Sequence, residues 1–329
     1  MTKKREYSFD ILRIISMFMV IVVHVSNVYS RSFGIIGNKS FFISLVFNTI
    51  SRISVPIFLM ISGALLFNRS FNKKKYFQRI IKFILLIIVW DIFYLIWEYY
   101  YLNITYTKLY MLIFTPYRAH LWFLYTILIL YIIQPVLKLI FDKISNNFKF
   151  ILLIMWFLFS TLSIINYNIA NYFTIFSYMG FFIIGNYLYT YIKDRDLTKY
   201  NWFLIISIVC LITTSVLLNY FSSVKRNYFY NIFFAYRTPF IILSSFAFFI
   251  LVVCNFKKDI KNKFILMLSD VSLGVYLIHG VFLDITVKVF SYQLINSLIG
   301  IPTFSLIIFI FSVISVYILK KIKIINYFL

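Results

Sequence analysis

Arg13 and His24 stand eleven positions apart in the run SFDILRIISMFMVIVVHVSN, residues 8 to 27, whose background is Ile, Val, Met and Phe. At 100° per residue they fall within about 20° of one another on a helix surface, roughly 16 Å apart along its axis. An arginine presents a planar fork of donors suited to phosphate or carboxylate. A histidine takes up and releases a proton near neutral pH. One of each on a single face of an apolar helix is costly unless that face lines a polar cavity. Asp10, three residues before Arg13, shares the face and is expected to pair with it, holding the guanidinium in place. A purely structural alternative stays open here, with His24 bonded to a neighbouring backbone carbonyl.

The chain has only two further histidines. His120 opens HLWFLYTILILYIIQP and His279 ends LGVYLIH, each toward the outer end of an apolar run, and Arg52 begins RISVPIFLMISGALLF at the same expected depth. Histidines with purely structural duties have no reason to gather in one layer. At the opposite face, KKKYFQRIIKF, residues 73 to 83, stacks cations. Cations at an inner mouth suit a polyanion such as a nucleotide or coenzyme phosphate, although the ordinary excess of cytoplasmic Lys and Arg accounts for them as well.

The elements that must position these residues follow from composition. A chain of 329 residues, 62% hydrophobic and 22% aromatic, with a mean hydropathy of +0.91, is a polytopic membrane protein of the all-α class rather than a soluble one. Its formal charge of +22 lies in short connections between apolar runs, which excludes nucleic acid as a partner. Cys210 and Cys254 sit in apolar runs without metal-ligand spacing, so neither a disulfide framework nor a metal site is expected. The N-terminal apolar run exceeds a signal peptide's and is read as a retained helix. Spans are expected near 9–29, 43–67, 79–101, 119–141, 149–167, 172–192, 201–220, 237–255, 264–286 and 300–319, ten in all. Of 32 Lys and Arg, 22 fall on the side of the N-terminus and 8 on the other, with Arg13 and Arg52 inside spans. Both termini are therefore expected in the cytoplasm. No internal repeat or linker appears, and residues 1–329 are expected to form one transmembrane domain in the cell membrane, in contact with membrane lipid.

Taken together, these motifs resemble the membrane acyltransferase 3 family, which O-acylates cell-surface carbohydrates. The resemblance spans nearly the whole chain. It rests on Arg13 and His24 after FDILR, on VPIFLMISGALLF, on HLWFLY with Pro135 at the far end of its span, on Gly185 in FFIIGNYLY, and on LGVYLIH ending at His279. One departure is visible. Where the family often has two arginines separated by two residues at the inner start of the third span, this chain has Arg79 and Lys82, and lysine keeps the charge without the planar fork.

The resemblance implies a membrane O-acyltransferase that takes an acyl group, acetyl foremost, from cytoplasmic acyl-coenzyme A. The acceptor would be a hydroxyl of an extracytoplasmic or lipid-linked polysaccharide. No permanently bound cofactor is expected. His24 is then the general base or a transient acyl carrier. Arg52, His120 or Tyr276 would stabilise the oxyanion or orient the sugar, and Arg13, Arg79 and Lys82 would steady the coenzyme. Trp122 and Tyr125 are candidates for stacking on sugar rings, and equally for interfacial anchors. Relatives often carry an extracellular hydrolase-like domain. None follows the tenth span here, so transfer is expected within the membrane domain or with a separate partner protein. The Ile, Lys, Asn, Phe and Tyr bias fits a bacterial plasma membrane. An exporter of polysaccharide or lipid-linked sugar is the alternative, although neither an inverted repeat nor paired Gly/Pro interruptions support it.

Overall fold

The structure, a computed structural model, describes residues 5–102, 116–162, 174–257 and 262–328, with backbone only at 324. Among the described residues it is helical without strands. The helices are α1 (Tyr7–Arg31), α2 (Asn38–Ser51), α3 (Ser54–Phe67), α4 (Lys73–Trp97), α5 (Trp122–Lys143), α6 (Asn146–Leu162), α7 (Thr174–Ile192), α8 (Asn201–Arg226), α9 (Pro239–Asn255), α10 (Lys263–Val289) and α11 (Ser297–Leu319). A π-helical turn, Glu98–Leu102, continues α4, and a 3-10 turn, Ala119–Leu121, opens α5. Among the described residues, eight helical segments are long and apolar enough to cross a membrane, and α6 is a shorter apolar helix. Parts of the expected fifth and sixth spans, 163–167 and 172–173, lie outside the described residues.

Local sequence explains where helices start and break. Asn72, Thr238, Asn262 and Asn296 each accept a backbone N–H of the first turn of α4, α9, α10 and α11, satisfying donors that have no partner inside the helix. The expected span 43–67 is interrupted at Arg52 and Ile53, between α2 and α3. The reason is Pro56, whose ring nitrogen cannot donate to the Arg52 carbonyl one turn earlier.

The bundle is apolar on its outer face and keeps ionisable groups within a largely apolar interior. α8 presents Trp202, Phe203, Ile206 and Val209 outward, while Asp10, Asp91, Glu98, His120 and His279 are buried. That arrangement is what a lipid solvent demands, because ionisable groups are tolerated only where the bundle itself supplies their partners. α1 sits at the centre, packed against α2, α3, α9, α10 and α11. α3 and α7 meet backbone to backbone: a Cβ at Gly63 would strike the Phe182 carbonyl, and one at Gly185 would strike the Met60 backbone. Small residues at such a crossing permit the close approach on which helix association in a bilayer depends.

Candidate active site

Three elements bring the three histidines together. His24 comes from the second half of α1, His120 from the 3-10 turn ahead of α5, and His279 from the middle of α10. Ring centroids lie 5.1 Å apart for His24 and His279, 6.1 Å for His24 and His120, and 4.9 Å for His120 and His279. The layer read from the sequence is thus one cluster in space. His279 Nδ1 is 2.6 Å from the Tyr276 carbonyl oxygen. A carbonyl only accepts, so the proton sits on Nδ1 and Nε2 is left as a free base. Among the described residues, Nε2 of both His120 and His279 is buried without a partner, and His24 makes no hydrogen bond. No group of histidine, cysteine or acidic residues among the described residues is arranged to hold a metal ion, and both cysteines are free.

The floor of the cluster is fixed by α10. The Tyr276 hydroxyl donates to the His120 carbonyl, pinning the turn that carries that histidine. The Tyr94 hydroxyl donates to the Leu277 carbonyl at 2.7 Å, and its ring packs edge-on to His120 at 4.9 Å. Gly280 makes room for both: a Cβ there would lie 2.8 Å from the Tyr94 oxygen and 2.9 Å from His120 Cε1. Arg52 donates through Nε to Asn48 at 2.9 Å, and its guanidinium lies over Phe234 at 4.6 Å and Tyr236 at 5.4 Å. Trp122 packs between Tyr178 and Tyr236, at 4.9 and 5.8 Å. Tyr125 donates to Asp91 at 2.5 Å.

At the other end of α1, Asp10 accepts from Arg13 at 3.0 Å, as its spacing predicts, and also from Arg5 at 2.8 and 3.0 Å and from Ser269 at 2.6 Å. Fully buried, the carboxylate is saturated by these donors. Arg5 lies ahead of α1, and its hydrogen bond to Asp10, reinforced by Asp270, raises its affinity for the proton above the ordinary value. Neither Arg5 nor Ser269 is foreseen from the α1 sequence, because both partnerships reach beyond one helix.

Three cavities share lining residues at this end of the bundle. One of about 240 Å³ runs between α1, α3, α4, α5 and α10, from Arg13, Arg69 and Arg79 to Phe123 and Tyr276. Tyr276 lies 6.0 Å, ring to ring, from His279 and 6.1 Å from His120, so this passage ends beside the cluster. A second, of about 920 Å³, is lined by Arg69, Lys75, Arg79 and Lys138. The third, of about 670 Å³, holds Arg5, Arg13, Arg69, Lys193 and Lys257. Arg69 therefore lines all three, while Arg13 and Arg79 each line two. Lys82 lines none of them: its ammonium lies 5.7 Å over the Tyr327 ring, on the side of the C-terminal segment.

Several members of this site are absent from the sequence-based reading. Arg69, just past SGALLFN, reads in sequence as one more of the basic residues on the side of the N-terminus. Asp91, Glu98 and Asp284 are acids within apolar runs, and the rule that ionisable residues inside a membrane demand a reason applies to them as much as to His24.

A helical membrane bundle with a histidine cluster at one end of an internal passage and arginines at the other defines a class of membrane enzyme. The chain belongs to the acyltransferase 3 family, whose acyltransferase domain matches residues 6–321. It is thus a membrane acyltransferase. No curated protein and no solved structure matches it.

Proposed function

We propose that this acyltransferase moves an acetyl group from cytoplasmic acyl-coenzyme A to a hydroxyl of an extracytoplasmic or lipid-linked polysaccharide in the cell membrane. The observation that carries the reading is the passage joining Arg13, Arg69 and Arg79 to Tyr276, beside the three histidines. Coenzyme phosphates need fixed cations, and the arginine fork suits them. The pantetheine arm is a slender chain, matched to a narrow apolar cavity walled by Phe58, Phe83, Phe123 and Ile127. It would carry the thioester to the histidines.

In the reaction, His24 takes the proton of the sugar hydroxyl, and the oxygen attacks the thioester carbonyl carbon. The tetrahedral oxyanion collapses with cleavage of the C–S bond, and the imidazolium returns its proton to the coenzyme sulfur. Arg52 faces the acceptor side of this step, and Trp122 with Tyr178 and Tyr236 provides an aromatic wall for a sugar ring. Arg13, held by Asp10, and Arg79 steady the coenzyme together with Arg69. Transfer is completed in the membrane domain or handed to a separate partner.

The test is thioester loss from labelled acetyl-coenzyme A by the purified protein in lipid vesicles, with and without cell-envelope glycans. Label appearing in the glycan supports the reading. Binding of the glycan with no consumption of thioester from any short acyl-coenzyme A would sink it.

A further inference from the structure

Coenzyme A has a fixed linear order: acyl thioester, pantetheine arm, diphosphate, ribose with its 3′-phosphate, and adenine. The cavities around Arg69 have an order too. The passage of about 240 Å³ and the chamber of about 920 Å³ share Leu66, Arg69 and Arg79. Lys75 and Lys138 line the chamber and not the passage. Cavities that enclose small ligands hold about 300–1,000 Å³, so the chamber is large enough for a nucleoside and the passage suits only a slender chain.

The cations of this chamber are uncommitted. Arg69 comes from the connection after α3, Lys75 and Arg79 from the start of α4, and Lys138 from α5, and the only acid among the lining residues is Asp142. Among the described residues, none of the four cations pairs with a carboxylate. Lys138 is fixed by donating to the Arg69 carbonyl at 2.6 Å, which leaves its other N–H groups for a ligand. Asn72 and Lys75 both line the chamber, and Asn72 accepts the Lys75 N–H at 2.9 Å, so the positive end of the α4 dipole opens onto it. Tyr76 is fixed as well, donating its hydroxyl to the Ile132 carbonyl at 2.9 Å, and its ring lies 5.6 Å from that of Phe71. These rings offer aromatic surface to a purine.

The chamber of about 670 Å³ differs. There Arg5 and Arg13 are bonded to Asp10, Lys193 lies 3.9 Å from Asp194, and Lys257 donates to the Ile192 and Arg195 carbonyls. Apart from the shared Arg69, its cations are taken by the protein itself. The positive-inside rule explains how many cations a connection carries, but not why those of one chamber are paired and those of the next are left open.

We propose that the 920 Å³ chamber seats the adenosine 3′-phosphate of the acyl-coenzyme A donor, with Lys75 and Lys138 binding the 3′-phosphate and Arg69 and Arg79 holding the diphosphate at the mouth of the passage. This rests on the acyl-transfer reading above. Residues that line both cavities meet the part of the coenzyme that spans them, and residues confined to the chamber meet its far end. The chamber thereby selects coenzyme A over donors that carry phosphopantetheine without a nucleotide.

The purified protein in detergent is titrated by calorimetry with acetyl-coenzyme A and with acetyl-dephospho-coenzyme A, which lacks only the 3′-phosphate. The parent is expected to bind the former more tightly by about 10–150-fold. Lys75→Ala combined with Lys138→Ala is expected to lose that preference, while its affinity for the dephospho form, which also reports that the site is folded, equals the parent's. Arg69→Ala is expected to weaken both donors by the same factor, and Lys193→Ala to leave both unchanged. A parent that binds the two donors equally overturns the inference. So does a double variant that keeps the parent's preference or weakens both donors alike, or a Lys193→Ala protein that loses the preference. A parent that binds neither donor overturns the acyl-coenzyme A reading instead.

Discussion

His279 holds its Nδ1 proton against the Tyr276 carbonyl, 2.6 Å away, and so presents a fixed, unprotonated Nε2 to a cluster in which His24 has no such tether. Orientation and freedom are divided between two rings 5.1 Å apart. His279→Asn is therefore expected to lower transfer by about tenfold through misplacement of its neighbours, against the two to four orders of magnitude expected when the base itself is lost. Comparing kcat for the Asn variants of all three histidines checks this. A larger loss at His279 than at His24 would move the base to the tethered ring.

Arg69 is the cation shared by three cavities, and no carboxylate among the described residues pairs with it. Each charge-assisted hydrogen bond to a phosphate is worth about 1.5–3 kcal/mol, which corresponds to a rise of about 10–150-fold in Kd. Arg69→Ala and Arg79→Ala are each expected to weaken acetyl-coenzyme A in this range by calorimetry in detergent. Lys82→Ala, directed at Tyr327, is expected to leave Kd unchanged. Equal affinity in Arg69→Ala and the parent would reduce Arg69 to a topological charge.

Gly280 carries Tyr94 and His120 against its Cα. A methyl group there forces both rings outward, and overpacking of this kind costs about 1–3 kcal/mol. Gly280→Ala is expected to lower the thermal midpoint and to reduce transfer, while donor affinity is unaffected because the arginines lie at the far end of the passage. Unchanged activity would show that His120 tolerates displacement.

The asymmetry of basic residues, 22 against 8, leads by the positive-inside rule to the prediction that the N-terminus, the segment around Lys74 and the C-terminus lie in the cytoplasm. A cysteine placed at Asn72 is expected to resist an impermeant thiol reagent in intact cells and to react after permeabilisation. Labelling from outside would invert the passage and with it the direction of transfer.

Much of this site was legible because helix periodicity is a one-dimensional property. The eleven-residue interval from Arg13 to His24, the interval from Asp10 to Arg13, and the common depth of three histidines all follow from counting along spans. What counting cannot reach is which helix faces which. The Tyr276 bond to the His120 carbonyl, the Ser269 bond to Asp10 and the reach of Arg118 to Glu98 and Asp284 depend on rotation of helices that are distant in sequence. The same limit separates Arg79 from Lys82. Three positions apart, they differ by about 60° around α4, enough for one to line the passage and the other to face Tyr327. The break at Arg52 follows from Pro56, whose effect the continuous apolar run 43–67 conceals.

On the proposed reaction, donor binding and acyl transfer are separate functions, roughly 16 Å apart on one helix. The most direct test of that separation is His24→Asn, purified beside the parent and compared for thermal stability, acetyl-coenzyme A affinity and acetyl transfer into cell-envelope glycan. A structural histidine is largely replaced by asparagine, a partial hydrogen-bonding mimic, whereas a proton acceptor is not. Unchanged stability and donor Kd are expected, with transfer lower by about two to four orders of magnitude. A well-folded His24→Asn protein that retains most of its transfer activity would contradict it.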